Sequence, residues 1–175
     1  MRLGFWVVAV GVVALASSAR ADDPPNVAAK QVTGLFMQSC VTFAGDKDGL
    51  RGWAKKTGLK ELPARFQDRF LYGLPGVVFD ASNKDGKYVL VSEDGGSCSV
   101  VAEMASGPVV ITSLEKDLND AKITFKMTGE KPDSEEKALN HREYQASQGD
   151  RGWLLLISTV KDPLGGQVML TANSD

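Results

Sequence analysis

GVVFDASNKDGKYVLVSEDGGSCSVVAE, residues 76–103, is the stretch whose reading decides the fold. Val77 to Ser82, Lys87 to Glu93 and Ser97 to Glu103 are short runs rich in valine, with a period of two. Asn83-Lys84-Asp85-Gly86 and Asp94-Gly95-Gly96 separate them, and both carry the Asn, Asp and Gly that hairpin turns demand. The stretch therefore predicts three antiparallel strands in a meander.

Upstream the period changes to that of a helix. Asn26 is a candidate N-cap for a first helix running to about Phe43, with Val32, Leu35, Phe36, Cys40 and Phe43 on one stripe. Asp46 or Asp48 can cap a second helix that carries Leu50, Trp53 and Ala54 and stops at Gly58. Pro63 can open a third, with Phe66, Phe70 and Leu71 on one side. Downstream, Gly107-Pro108 opens a helix with the stripe Val110, Leu114, Leu118 and Ala121. Lys122 to Thr128 alternates, and Glu130 to Lys137 reads as a charged loop. Leu139 to Ala146 reads as a polar edge strand. Trp153 to Lys161 is apolar on both faces, as in a central strand covered on both sides, and Gln167 to Ala172 closes the chain. The expected class is α+β, helices packed on an antiparallel sheet in the order ααα-βββ-α-βββ.

With 175 residues, 43% hydrophobic and 24% charged, there is room for one domain, expected over residues 22–175. A net charge of -2 argues against a disordered chain and against nucleic-acid binding by bulk charge. Residues 1–21 read as a signal peptide: Arg2, an uncharged run from Leu3 to Leu15, then Ala19-Arg20-Ala21 as the cleavage site. That run is too short to span a bilayer, and no later segment is long and apolar enough to do so. Cleavage after Ala21 implies a periplasmic protein. Its mature chain loses Arg2 and Arg20, leaving 18 basic and 22 acidic residues, a net -4.

Two cysteines, Cys40 and Cys98, remain after cleavage. In an oxidising compartment they read as one structural disulfide, the alternative being a redox pair or a free thiol. Neither lies in a C-x-x-C motif or beside basic residues. No nucleophile elbow, phosphate loop or dinucleotide fingerprint is present, so no cofactor is expected. The acidic turns before Gly49 and Gly86 fail the calcium-loop test, each lacking the first acid. Four neighbours remain as functional candidates: His141, Arg142, Glu143 and Tyr144. On a strand His141 and Glu143 share one face, where they form either an acid–base pair, two ligands of a metal lacking a third, or a solvated edge. Seven Lys and Arg between Lys47 and Arg69 make the second and third helices basic, as a solvated rim or a face for anionic lipid.

Phe36-Met37-Gln38-Ser39-Cys40, Gly45-Asp46, Lys56-Thr57-Gly58-Leu59, Val78-Phe79-Asp80-Ala81, Asp94-Gly95-Gly96-Ser97-Cys98-Ser99-Val100 and Arg142-Glu143-Tyr144 run along almost the whole mature chain. In these motifs the chain resembles a family of small uncharacterised exported proteins of Gram-negative bacteria. The resemblance implies periplasmic export and pairing of Cys40 with Cys98, and implies no activity or site residues. The functional expectation is a non-catalytic binding or accessory protein, its partner a lipid-like or other apolar small molecule or an envelope protein. The alternative is an inhibitor or immunity protein against a cell-envelope hydrolase, presenting Glu130 to Lys137 or Glu93-Asp94 to a basic cleft. A third reading is a weak enzyme using His141 with Glu143.

Overall fold

The computed structural model describes residues 23–133, 138–160 and 166–174. The expected signal peptide and residues 134–137 of the charged loop lie outside them. Helix α1 (Pro24–Phe36) runs directly into a π-helical turn (Met37–Val41), followed by α2 (Lys47–Lys56) and α3 (Ala64–Leu71). Strands β2 (Gly76–Asp80), β3 (Tyr88–Glu93) and β4 (Cys98–Ala105) form the expected meander. Helix α4 (Gly107–Asp120) leads to β5 (Thr124–Pro132), β6 (Leu139–Gln148), β7 (Arg151–Val160) and β8 (Gly166–Ser174).

The α+β class holds, but the order ααα-βββ-α-βββ needs two corrections. A two-residue strand, β1 (Lys60–Glu61), lies between α2 and α3, and four strands follow α4. The C-terminal strands number four because Lys122 to Thr128, read as alternating, forms β5. That strand continues through Pro132 into residues read as loop and takes the edge position expected for Leu139 to Ala146. Proline is tolerated there because β5 is an edge strand with one side unpaired. β1 is too short to show a period of two; it is a strand only because Lys60 and Glu61 meet Asp80 and Phe79 of β2.

All eight strands form one antiparallel sheet in the order β1-β2-β3-β4-β8-β7-β6-β5. The two edges are blunted differently. β1 is two residues long, and β5 carries a bulge between Met127 and Gly129 together with lysines and a terminal proline.

One face of this sheet carries the main core. Ala28, Ala29, Val32 and Phe36 form the buried stripe of α1, which Cys40 continues in the π turn, and the two alanines let the helix lie close over β4. Beside it α4 buries Val110, Leu114 and Leu118. Against them the sheet sets Leu90, Val100, Tyr144, Trp153, Leu155, Ile157 and Leu170, all buried. Cys40 and Cys98 are joined in a disulfide with Cα atoms 5.2 Å apart, which fastens the π turn to the start of β4.

Local chemistry explains the helix ends. α1 begins at Pro24 rather than after Asn26, because proline suits a first turn whose N–H groups have no helical partner. Asp46 caps α2 by accepting from the Gly49 N–H at 2.9 Å. In the π turn the Thr42 hydroxyl donates to the Met37 carbonyl five residues back, and Ser39 Oγ donates to Leu35 O. The C-terminal carbonyls of that turn are met from across the fold. Arg151 Nη2 donates to Val41 O and Thr42 O at 3.1 and 2.9 Å, with its guanidinium 4.9 Å from the centre of the Trp153 ring.

Among the described residues the second face is covered only at one end. α3 lies there, with Leu71 against Val78 and Val91 in a small separate core. Gly76 makes this approach feasible: a Cβ there would stand 2.6 Å from Ser92 O and 2.7 Å from Leu71 Cδ2. β7 is interior to the sheet, as its sequence suggests, yet it is not covered on both sides. Trp153, Leu155 and Ile157 are buried, whereas Leu154 on the opposite face is 42% exposed.

The disulfide joins residues 58 positions apart. Replacing both cysteines with alanine should lower stability by about 4 kcal/mol in urea titrations. A loss below about 1 kcal/mol would show that helix packing alone holds α1 on β4.

Candidate functional site

The second face of the sheet is where the geometry leaves room for chemistry. Pairing register places Val89, Val101, Met169, Ser158, His141 and Lys131 in one row across β3, β4, β8, β7, β6 and β5. Successive strands stand about 4.8 Å apart, so Val101 and His141 lie roughly 14 Å from one another along the row. The two ends of this row differ in character.

At the α3 end lies a groove of about 550 Å³. Val89 and Val101 belong to its floor, and Leu62, Phe66 and Phe70 form its apolar wall. Val101 is buried yet belongs to neither hydrophobic core, and Phe66 remains 39% exposed. The rim is charged. Lys87 pairs with Glu103 at 3.6 Å, whereas Arg69 has no acidic partner among the described residues. On the same rim Asp80 accepts the Ser82 N–H at 2.9 Å. Hydrogen bonds from the Ser82 hydroxyl and N–H hold this carboxyl below the usual carboxylate range.

At the other end His141 sits between two oxygens. Its Nδ1 is 2.8 Å from Ser158 Oγ and its Nε2 is 3.0 Å from Asp133 Oδ2. The acid beside His141 is thus Asp133, brought in by the β5–β6 pairing, while Glu143 lies two residues along the same face. Serine, histidine and aspartate are the components of an activated nucleophile, but this setting does not suit one. Ser158 is only 5% exposed, in mid-strand. β7 is flanked by paired strands on both sides, so its backbone N–H groups serve the ladder rather than an oxyanion. The arrangement orients and satisfies buried polar atoms.

Arg142 and Tyr144 project to the helix-covered face. Tyr144 Oη donates to Glu115 Oε1 of α4 at 2.6 Å, and Arg142 Nη2 donates to both oxygens of Glu130 at 2.9 and 3.0 Å. Burial first, and then the Glu115 carboxylate, push the Tyr144 phenol up to about 12. The four adjacent candidates therefore split into two separate clusters. Among the described residues no group of three His, Cys, Asp or Glu is placed to hold a metal.

Three of the acids considered for blocking an enzyme cleft, Asp94, Glu130 and Asp133, are engaged within the fold. Asp94 Oδ1 is 2.6 Å from Arg51 Nη2, and that guanidinium keeps the Asp94 carboxyl below its ordinary range. Glu130 is held by Arg142, and residues 134–137 lie outside the described residues. Of the groove residues, Phe66, Phe70 and Arg69 stood out in the sequence only as helix-face residues. Val89 and Val101 carried no signal beyond strand alternation, because their convergence with α3 depends on which face α3 covers.

His141→Ala should cost about 1–3 kcal/mol by leaving Ser158 Oγ buried without its partner. A fluorophosphonate probe should leave Ser158 unlabelled in the native protein; stoichiometric labelling there would restore the nucleophile reading. Tyr144 stays protonated in the fold from its ordinary value of 10.0 up to about 12. Its contribution to stability is therefore fully present below pH 10 and lost as pH rises through about 12. Burial also raises the Tyr88 phenol, so ultraviolet phenolate absorbance should show two late-titrating tyrosines, of which the one near 12 disappears in Tyr144→Phe.

No protein-family model, no curated protein and no solved structure matches this chain.

Proposed function

We propose that this is an exported, non-catalytic binding protein whose α3 groove takes an amphipathic small molecule with an apolar body and an anionic end. The carrying observation is the groove itself, with Val89, Val101, Phe66 and Phe70 presenting apolar surface beside a charged rim. Burying the apolar body supplies affinity at roughly 25 cal/mol per Å² of surface removed from water. Arg69, without an acidic partner among the described residues, is the natural counter-charge for a carboxylate or phosphate head. A longer ligand follows the cross-strand row over Met169 toward Ser158 and His141.

Export to the periplasm rests on the leader-like residues 1–21 and on the resemblance to exported proteins, and a disulfide suits an oxidising compartment. No helix among the described residues is long and apolar enough to cross a membrane. The commitment of Asp94 and Glu130 to arginines of the same chain favours the binding reading over an acidic inhibitor.

Dodecanoate tests the groove. Calorimetry should show saturable binding, reduced at least about tenfold in Phe66→Glu and in Arg69→Glu. Native mass spectrometry of gently purified protein should show an adduct that denaturation releases. Absence of both the adduct and dodecanoate binding would overturn the proposal.

A further inference from the structure

The helix-covered side of the molecule holds a second concavity, separate from the α3 groove. Gly34 lies inside α1, where alanine or leucine serves a helix better. Packing does not demand glycine there, since an ideal Cβ would meet no atom within 4 Å. The space left open is part of a pocket of about 310 Å³ between α1 and the β2–β3 turn.

Tyr88 is the unusual member of its lining. Its side chain is 1% exposed, and its hydroxyl has no hydrogen-bond partner among the described residues. That hydroxyl lies under Gly86, where a Cβ would stand 2.6 Å away. A buried phenol is ordinarily satisfied; this one is closed off beneath the turn and forms part of the pocket wall.

The other polar groups around it are well suited to an anion. Lys30 is exposed and forms no ion pair among the described residues. Asn83 Oδ1 accepts the Asp85 N–H at 2.8 Å, which leaves the Asn83 amide hydrogens for another acceptor. Gln31 and Gln38 add two carboxamides, and no acidic side chain lines the pocket. Asp85, nearby in the turn, is itself paired with Lys84 at 3.1 Å. Gln38 belongs to the π turn, a rare distortion that concentrates at functional sites.

We propose that this pocket is a second binding site, for a small carboxylate. Its oxygens accept from the Lys30 ammonium and the carboxamides of Gln31, Gln38 and Asn83. The volume corresponds to about ten water molecules at liquid density, which suits a small hydroxy acid. The absent Cβ at Gly34 lets such a ligand rest against the helix backbone.

Nuclear magnetic resonance titration of the isotope-labelled protein with malate, its neutral diamide and inorganic phosphate tests this site. Malate should shift the Gly34 N–H and the side-chain amides of Gln31, Gln38 and Asn83 saturably, while the diamide does not. Lys30→Gln should weaken malate binding about tenfold. Gly34→Leu should abolish it while stabilising α1. Shifts scattered without saturation, equal binding of the diamide, preference for phosphate, or malate binding unchanged in Lys30→Gln and Gly34→Leu would each overturn the proposal. Failure here leaves dodecanoate binding in the α3 groove intact, because Phe66 and Arg69 are remote from these residues.

Discussion

The docking of α1 across β4, fastened by the Cys40–Cys98 bond, is the constraint on which the rest depends. β4 is the strand through which the two halves of the sheet meet: β3 pairs on one side and β8 on the other. The N-terminal meander and the C-terminal strands share one core because β4 accepts both partners while α1 buries its inner face. Long-range pairing of this kind orders much chain before it gains contacts, so a covalent tie from the first helix to β4 has a large effect on the unfolded ensemble. Arg151 adds a second tie. It reaches from β7 to the carbonyls at the end of the π turn and supplies the positive charge that a helix C-terminus favours.

From that docking follows the inequality of the two sheet faces. The α1–α4 layer and the disulfide occupy one face, leaving only the eight-residue α3 for the other. Eight residues cannot cover eight strands. Leu154 stays exposed, Val101 becomes the floor of a groove, and the row from Val89 to Lys131 remains accessible in parts. The open face is thus a consequence of helix allocation, and the proposed ligand site uses what the core leaves uncovered.

β6 illustrates how a strand separates chemistries by parity alone. Arg142 and Tyr144 face α4 and enter a network with Glu115 and Glu130, while His141 faces away and meets Asp133 and Ser158. Neighbours in the chain therefore act in unrelated settings. The buried phenols differ in a related way. Tyr144 finds a carboxylate on α4, whereas Tyr88 ends beneath the glycine of a turn with no acceptor among the described residues.

What the residues determined by themselves were features set by local physics. Period-two valines between Asn-, Asp- and Gly-rich turns specified the meander from Val77 to Glu103. Helical spacing put Cys40 on the buried stripe that continues from α1 into the π turn, and parity placed His141 opposite Arg142. The tertiary structure alone decided features that need partners distant in sequence. β1 is a strand because β2 meets it, β5 extends to Pro132 because it is an edge, and His141 takes Asp133 because the β5–β6 register brings that carboxylate alongside. Likewise the groove joins α3 to β3 and β4, and the pocket joins Gly34 to Tyr88 across 54 positions. Local propensity acts over one turn of helix or one hairpin, whereas a binding surface is assembled from side chains that only the completed packing brings within reach.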